Sequence, residues 1–400
     1  MRALILLSMA ATTFAWAAEP RSMPPRRPIE ELVPVATLRL GKTADWVVIT
    51  ADAVWVGSTG PNAVHRIDPR SNRLVATVSV PGEPCAGLAA GFGSLWVPLC
   101  SHRLAKVSLS SNRLTAVFPV GPAAKESGIT TGAGSVWMVT DAQGSLARID
   151  PHTGVIRQTI SVPAGSYNPL FSGGTLWLTR AEGAEITSID AATGSVLGTT
   201  ATGPKPRFLT AGDGSIWTLN QGDGSLTRID AGSRRALKTV ALATPGHGGD
   251  IGFGAGMVWT TIAHVPLSGI SSATNMLRCQ WEGPGGDSLR VADDAIWLTD
   301  YYGGTVSRLK LQDVLAHCAV PVRTSRPITS QRLAHAVNRA PAVADHRYVG
   351  GVDGESLGAT RCDQSLVRCR QQHTLAPERH EIAAETHGII VGHLEDADPL

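Results

Sequence analysis

The chain has 400 residues, of which 43% are hydrophobic and 17% are charged, so it is long enough to bury a large core. Its formal net charge of +2 is close to neutral, which excludes recruitment to nucleic acid or to an anionic membrane by a global electrostatic field. The 43 glycines and 25 prolines favour many short elements joined by tight turns, as in all-β proteins, over long helices.

The N-terminus has the pattern of a secretory signal peptide. Arg2 is followed by an apolar run, and Ala15-Trp16-Ala17 supplies the small residues of a cleavage site. The run is too short to span a bilayer, and polar, proline-rich residues follow it, which favours a signal over a buried first helix. We expect a signal peptide over residues 1–17, a linker over residues 18–32, no membrane span, and a periplasmic or secreted protein.

A short segment with a central tryptophan recurs at intervals of about 40 residues. Gly93-Ser94-Leu95-Trp96-Val97 shows the pattern, in which a turn residue is followed by a short apolar strand. Repeats of this length and strand content are typical of propeller blades, in which large rings fill the space between neighbouring blades. We therefore interpret the tryptophans as core residues and not as an aromatic ligand cage. They are Trp55, Trp96, Trp137, Trp177, Trp217, Trp259 and Trp297.

Each copy continues into a second strand, an Ile-Asp turn and a third strand. Leu146-Ala147-Arg148-Ile149-Asp150-Pro151 is one example, and its aspartate is expected to cap the turn and not to bind a ligand. A short strand that leads into the next tryptophan strand completes four strands per repeat. The sequence therefore predicts an all-β, seven-bladed propeller of four-stranded blades over residues 33–318.

The seventh copy ends after Leu309-Lys310-Leu311 without an outer strand of its own. The segment from Val35 to Leu40 precedes the first copy and has the alternation of an outer strand. We expect this N-terminal strand to pair into the last blade, because closure of the ring removes exposed sheet edges.

Four of the six cysteines fall within the predicted blades. Cys85 begins the predicted inner strand of blade two and Cys100 ends the antiparallel strand that follows, so both lie at one end of a hairpin. We predict a disulfide between them, as an exported protein permits. Cys279 and Cys318, on blades six and seven, are a second candidate pair.

From about Ala319 onward the repeat ends, and the sequence contains no tryptophan, phenylalanine or lysine. Such a composition lacks the aromatic and branched side chains of a packed domain, so we expect a largely disordered tail over residues 319–400. Cys362 and Cys369 lie in this tail and carry no pairing prediction. An out-of-frame extension of the natural gene is an open alternative for the tail.

Two sets of loops converge at one end of the predicted ring: those that join an outer strand to the next inner strand, and those that follow the tryptophan strand. Their polar residues are more varied than the Ile-Asp turns of the other end, so we place a binding site there. The polar residues of the first set are Lys42, Asp45, Glu83, Lys125, Glu126, Tyr167, Asn168, Lys205, Arg207, His247, Asp250, Glu282 and Asp287. The predicted ligand-binding residues are Tyr167, Arg180, Lys205, Arg207, Asn220, His247, Asp300 and Tyr301.

A metal-assisted acid–base site would need carboxylates or imidazoles that converge on one hard cation. Blades five to seven supply His247, His264, Glu282 and Asp300 as candidates. We take His264 and Glu282 as the candidate catalytic residues and metal ligands, although no spacing fixes them as a His-Glu-x-x-His motif would.

The repeats Gly-Ser-Leu-Trp-Val, Gly-Ser-Val-Trp-Met-Val-Thr and Arg-Ile-Asp-Pro-x-Thr-Gly resemble those of YncE-like and virginiamycin B lyase-like propellers, within the YVTN-type, quinoprotein-like superfamily. The resemblance covers about Val33 to Leu315. YncE-like members are exported binding propellers, and single-stranded DNA is one ligand proposed for them.

The lyases of this family open a cyclic depsipeptide by β-elimination, with a magnesium ion, a histidine and glutamates near the axis. Their Glu-x-His pair corresponds to Ile262-Ala263-His264 in this sequence, where the isoleucine removes a carboxylate. The resemblance therefore carries over His264, together with Glu282 downstream.

We predict an exported binding or scaffold propeller that takes a small-molecule or protein ligand at its loop-rich axial face. The alternative is a metal-assisted lyase or hydrolase that acts on a cyclic ester or lactone. No cofactor is expected for the first function, and Mg²⁺ is expected for the second. Nucleic acid is not an expected partner, because the sequence offers few aromatic residues beside basic ones that could form a stacking platform in a basic groove. We expect a monomer.

Overall fold

The computed structural model describes residues 23–292 and 294–319. Within them, seven sheets of mainly antiparallel strands are arranged as the blades of a propeller, and successive inner strands contact one another around the ring. The predicted signal peptide, and the predicted tail apart from its first residue, lie outside the described residues. Among the described residues, no helix is long and apolar enough to cross a bilayer.

Each of the first five blades is formed by four consecutive strands, ordered from the inner strand to the outer one. Short turns join them because neighbouring strands are antiparallel. In chain order the strands of blades one to five are β3 (Thr43–Ile49), β4 (Val54–Thr59), β5 (Ala63–Asp68), β6 (Arg73–Ser79); β7 (Ala89–Gly91), β8 (Ser94–Leu99), β9 (Arg103–Ser108), β10 (Arg113–Phe118); β11 (Ile129–Gly132), β12 (Ser135–Asp141), β13 (Ser145–Ile149), β14 (Ile156–Ser161); β15 (Ser166–Ser172), β16 (Thr175–Arg180), β17 (Glu185–Asp190), β18 (Val196–Ala201); β19 (Pro206–Gly212), β20 (Ser215–Asn220), β21 (Ser225–Asp230) and β22 (Ala236–Ala241).

The last two blades each include a strand from the N-terminal segment. β1 (Arg26–Pro28) adds a fifth strand to blade six, and β2 (Ala36–Arg39) supplies the fourth strand of blade seven. A 3₁₀ turn follows β1, and a nine-residue helix follows blade seven. These elements are β1 (Arg26–Pro28), the 3₁₀ turn (Ile29–Glu31), β2 (Ala36–Arg39), β23 (Asp250–Gly254), β24 (Met257–Ile262), β25 (Val265–Ser271), β26 (Met276–Glu282), β27 (Leu289–Ala292), β28 (Ala295–Asp300), β29 (Thr305–Lys310) and α1 (Leu311–Ala319).

The ring is closed by β2, which confirms the prediction for the segment from Val35 to Leu40. β2 pairs antiparallel with β29. The backbone N–H of Val35 donates to the carbonyl of Arg308 at 2.8 Å, and that of Leu40 donates to the carbonyl of Gly304 at 2.8 Å. The first and last parts of the propeller are therefore held together by a main-chain ladder.

The predicted packing role of the seven tryptophans is confirmed. Each lies on the second strand of its blade, and each has an exposed fraction of 0 or 1%. In three blades the indole N–H donates to a carbonyl five residues earlier, on the inner strand of the same blade, as between Trp137 and Gly132 at 2.9 Å. In these three blades the tryptophan is therefore a core residue whose indole N–H is hydrogen-bonded within its own blade.

A cation covers the core tryptophan in several blades. It comes from the third-strand residue that pairs with the tryptophan, and the charged atom lies 4.9–5.3 Å from the ring centroid. Arg228 then donates to the carbonyl of Ser272 at 2.7 Å and to Asn275 at 2.9 Å, both in the next blade. The cation therefore stabilises the contact between blades as well as the ring it covers. The pairs are Lys106 with Trp96, Arg148 with Trp137 and Arg228 with Trp217.

The segment for which the sequence predicts a linker is structured from Arg26 onward. β1 lies parallel to β26, and Leu32 is buried against the core of blade six. The helix α1 packs against strands of blades six and seven, and its Cys318 forms a disulfide with Cys279 of blade six at a Cα–Cα distance of 4.8 Å. Blade six is therefore covered by both ends of the described chain.

The disulfide predicted between Cys85 and Cys100 is present, with a Cα–Cα distance of 5.5 Å. The turn aspartates also behave as predicted. The carboxylate of Asp150 accepts the backbone N–H groups of His152 and Thr153, each at 2.9 Å, and these hydrogen bonds lower its pKa. Such aspartates stabilise the turns at the end of the ring opposite the predicted site.

We expect a chain that begins at Gly41 to be much less stable than one that begins at Val33. Both lack β1, but only the shorter chain lacks β2 and its ladder with β29. The loss should amount to several kcal/mol, at about 1 kcal/mol for each backbone hydrogen bond and about 2 kcal/mol for buried Leu40. Urea unfolding followed by tryptophan fluorescence measures it. Equal midpoints for the two chains would contradict closure by β2.

Candidate functional site

The beginnings of the inner strands bring polar side chains together around the axis of the ring. Asp45 lies in β3, Asp250 begins β23, and Asp287 lies two residues before β27. Tyr167 and Arg207 occupy the corresponding parts of β15 and β19. We call this group, with the neighbouring side chains named below, the axial cluster.

Blades three to five contribute a cation–aromatic contact to the axial cluster. The Arg207 guanidinium lies over the Tyr167 ring, 4.4 Å from its centroid, and donates to the Tyr167 hydroxyl at 2.5 Å and to Glu126 at 2.9 Å. The Tyr167 hydroxyl donates to the carbonyl of Lys125. Burial raises the pKa of Tyr167 to about 12, so the phenol is neutral and acts as a donor at physiological pH. The sequence predicted both Tyr167 and Arg207 as site residues, and the structure brings them together.

Blades six, seven and one are joined at the axis by hydrogen bonds to Ser288 and to Asp250, whose side chain is 6% exposed. Its carboxylate accepts the Ser288 hydroxyl at 2.8 Å and the Leu289 N–H at 3.3 Å, and it forms an ion pair with Arg290. The Ser288 hydroxyl oxygen accepts the backbone N–H of Val47 at 3.1 Å. Asp250 is therefore a buried carboxylate with a full set of donors.

Asp45 and Asp287 lie beside this network and form a carboxyl–carboxylate pair. Asp45 donates a hydrogen bond to Asp287, which also accepts the backbone N–H of Gly249 at 3.2 Å. Burial and the adjacent charge of Asp287 raise the pKa of Asp45 well above its usual range. Burial also raises the pKa of Asp287, and the charges of Glu126 and Asp250 add to this effect. Burial and like charge therefore favour retention of a proton by the pair above the pH at which isolated aspartates ionise.

The cations of the axial cluster are already paired with other carboxylates. Among the residues that the structure describes, no ion pair involves Asp45 or Asp287. This pair is consequently the place in the cluster where an added positive charge would be most favourable. The three ion pairs are Lys125 with Glu83 at 3.8 Å, Arg207 with Glu126 at 2.9 Å, and Arg290 with Asp250.

Asp45 opens onto a small cavity at the junction of blades one, two, three and seven. Glu83, Glu126, Lys125 and Tyr301 line it, and it encloses about 60 Å³. This space admits a charged head group or a few water molecules, but not a drug-sized molecule. Tyr301 is a predicted site residue, and burial raises its pKa, so its hydroxyl is also a donor.

Two of the other predicted ligand-binding residues are held in ion pairs at the exposed rim. Arg180 contacts Glu185 at 3.4 Å, and Lys205 contacts Glu182 at 3.0 Å. Exposed pairs of this kind are weak, so these side chains remain accessible to a large ligand.

The remaining predicted ligand-binding residues differ in exposure. Asn220 is fully buried, and its side-chain amide bonds Thr218, Ser225 and Thr227 within blade five. His247 is exposed in the loop before β23. Asp300 accepts the N–H of Gly303 in its own turn at 2.9 Å.

The candidate catalytic residues His264 and Glu282 line one open depression on blade six, together with Pro28, Gly283 and Pro284. Glu282 ends the outer strand β26, so this depression lies away from the axial cluster. Within residues 23–292 and 294–319, no three His, Cys, Asp or Glu side chains are arranged to hold a metal ion. One imidazole and one carboxylate do not fit Mg²⁺, which prefers six oxygen ligands.

No protein-family model and no curated protein sequence matches this chain. Among solved structures, the crystal structure of BamB from Moraxella catarrhalis is similar, with a TM-score of 0.53. The two sequences are 14% identical over 70% of this chain and 97% of the BamB chain. The similarity shows the fold. The resemblance to YncE-like and virginiamycin B lyase-like propellers stays a prediction.

We expect the Asp45→Asn variant to gain stability over the wild type as the pH rises. The pKa of Asp45 is raised in the folded state, so the wild type loses stability from about pH 4, the unfolded pKa, up to the folded pKa. Asparagine does not ionise, and its amide can still donate to Asp287. The gain should approach about 1.4 kcal/mol per unit of pKa elevation.

Urea unfolding between pH 4 and pH 9 measures this difference. Asp223→Asn, in an exposed turn of blade five, is the matched control and should follow the wild type at every pH. A constant difference between Asp45→Asn and the wild type would contradict the raised pKa.

Proposed function

We propose that the protein is an exported binding propeller that holds a cationic group of its ligand at the axial cluster. The observation that carries this proposal is the pair of Asp45 and Asp287, because burial and neighbouring carboxylates raise the pKa of both and no ion pair among the described residues involves either of them. An ammonium or guanidinium group can take the place of the shared proton and form charge-assisted hydrogen bonds with both carboxylates.

The surroundings of the pair support a ligand that carries further polar groups. Tyr167 and Tyr301 are neutral phenols, and Arg207 is the cation nearest to Tyr167. A ligand anchored by a cation at Asp45 could therefore place a carboxylate or carbonyl toward Arg207. An amino-acid side chain of a protein partner and a small amine both have this chemistry.

Export is supported by the two disulfides of the described residues, Cys85–Cys100 and Cys279–Cys318. Such bonds form and persist in oxidising compartments such as the periplasm or the extracellular space. The predicted signal peptide over residues 1–17 belongs to the same proposal.

Binding of cationic probes tests the axial site directly. We expect agmatine and lysine amide to bind in isothermal titration calorimetry, with glutarate, which has no ammonium group, and glucose as negative probes. Affinity should increase between pH 5 and pH 8, because the incoming cation displaces a proton from the carboxyl pair. Asp287→Asn should weaken binding about tenfold or more, which corresponds to the loss of one charged hydrogen bond.

Asp223→Asn provides the control for a change of one exposed aspartate on the same face, and it should bind like the wild type. Lack of binding by every cationic probe would contradict the proposed ligand class. Equal binding by Asp287→Asn and the wild type would place the ligand elsewhere.

The second candidate function is the lyase or hydrolase of a cyclic ester or lactone. It is favoured by one observation, the shared depression of His264 and Glu282. In an elimination, the imidazole would remove the proton on the carbon next to a carbonyl, a C=C bond would form, and the ester C–O bond at the neighbouring carbon would break to release a carboxylate. Glu282 would orient the imidazole or accept the proton from it. Mg²⁺ would supply charge stabilisation to the ester, but the two donors present do not fit it.

An assay with a cyclic depsipeptide and with simple lactones, in the presence and absence of Mg²⁺, tests this alternative. If the protein is such an enzyme, His264→Ala should lower turnover at least a hundredfold. His152→Ala, in an exposed turn at the opposite end of the ring, is the control. The binding function predicts no turnover with any of these substrates and no calorimetric signal for Mg²⁺.

A further inference from the structure

The outer strand of blade five presents a basic edge that is distinct from the axial cluster. It consists of β22 (Ala236–Ala241) with the preceding turn residues Arg234 and Arg235, and we call it the blade-five edge. From Gly232 to Thr239 every residue is exposed, and Leu237 is 54% exposed. The first part of this strand therefore exposes both cationic and apolar side chains to solvent.

The backbone of β22 is paired on one side only. In the described part of the chain β21 is its sole strand partner, so the outer N–H and C=O groups from Ala236 to Ala241 have no ladder. In the next blade the equivalent strand β26 is not free, because β1 of the same chain lies along it. The outer edge of a blade in this protein can thus pair with an added strand, as β26 of blade six pairs with β1.

The cations of the blade-five edge lack acidic neighbours. No ion pair within residues 23–292 and 294–319 involves Arg234, Arg235 or Lys238. The nearest turn carboxylate, Asp230, is occupied by the N–H and hydroxyl of Ser233, both at 2.7 Å. In blade three, by contrast, the outer-strand arginine is neutralised by the turn aspartate at 3.0 Å.

We infer that the blade-five edge binds an extended acidic peptide of a protein partner, which adds to β22 as a further strand. Three free cations within five residues match glutamates or aspartates on the peptide. The open backbone edge supplies main-chain hydrogen bonds, and Leu237 supplies an apolar contact for a residue between the acidic ones. Exposed edge strands normally carry such charges as a guard against pairing, and an acidic strand converts the same charges into attraction.

A fluorescein-labelled peptide with alternating glutamate and valine is the probe, and anisotropy gives its affinity. A peptide with lysine in place of glutamate tests charge, and one with a central proline tests strand formation, because proline cannot complete a ladder. We expect the glutamate–valine peptide to bind and the other two to bind at least tenfold more weakly. Equal binding of the proline peptide would overturn strand addition.

The double variant Arg235→Gln/Lys238→Gln should weaken binding of the glutamate–valine peptide about tenfold, as expected for the loss of two exposed ion pairs. Arg73→Gln/Arg113→Gln, on the outer strands of blades one and two, is the matched control and should leave the affinity unchanged. The same result for both double variants would overturn the assignment to blade five.

Hydrogen exchange read by mass spectrometry locates the added strand. Peptide binding should slow amide exchange in Ala236–Ala241 and not in the outer strands of blades one to four. Binding without protection of β22 would overturn the proposal. Two further outcomes would also overturn it. Stronger binding to phosphatidylglycerol vesicles than to the peptide would assign the edge to a membrane surface. A dimer that the Arg235→Gln/Lys238→Gln variant dissociates would assign the edge to a second copy of the chain.

Discussion

The contact between blades depends on a tryptophan in the second strand and, in several blades, on a cation that covers it. Arg228 illustrates the combination, because its guanidinium lies 4.9 Å from the Trp217 centroid and donates to the carbonyl of Ser272 in blade six. One side chain thus connects the core of one blade to the turn of the next. Blades four and six have Ser188 and Gly269 at the position equivalent to Arg228, so the tryptophan is common to all blades and the cation is not.

Radial packing of this kind determines where a site can form. The blades converge on their inner strands, so the residues that begin those strands are brought to the axis whatever their distance in sequence. The hydrogen bond from Val47 to Ser288 joins positions 241 residues apart. At the same place Asp250 accepts bonds that connect blades six and seven. The junction of the inner strands of blades six, seven and one is therefore a polar part of the axial cluster, and it includes the blade that β2 completes.

The sequence predicted those features that repeat or that involve local pairing. Trp96 and its equivalents recur at a fixed interval, and Cys85 and Cys100 lie on one hairpin, so their positions follow from the blade frame. Asp45 and Asp287 were visible only as loop residues, because nothing local indicates that their carboxyls meet across the seam. β1 was missed for another reason: three residues carry too little alternation to identify a strand, and its parallel pairing comes from packing against blade six.

Equivalent positions in other blades show that the fold does not require acidic residues at the axis. The residue three positions before the partner of the core tryptophan is Asp45 in blade one and Asp287 in blade seven, but it is Ala86, Ser127 and Gly249 in blades two, three and six. Neutral side chains at such positions avoid the unfavourable free energy of burying like charges side by side. Blades one and seven nevertheless place carboxyls there, and Asp45 and Asp287 lack a counter-cation among the described residues. The same positions carry neutral residues in other blades, so packing does not require this unfavourable pair, and its presence supports the proposal of a cationic ligand.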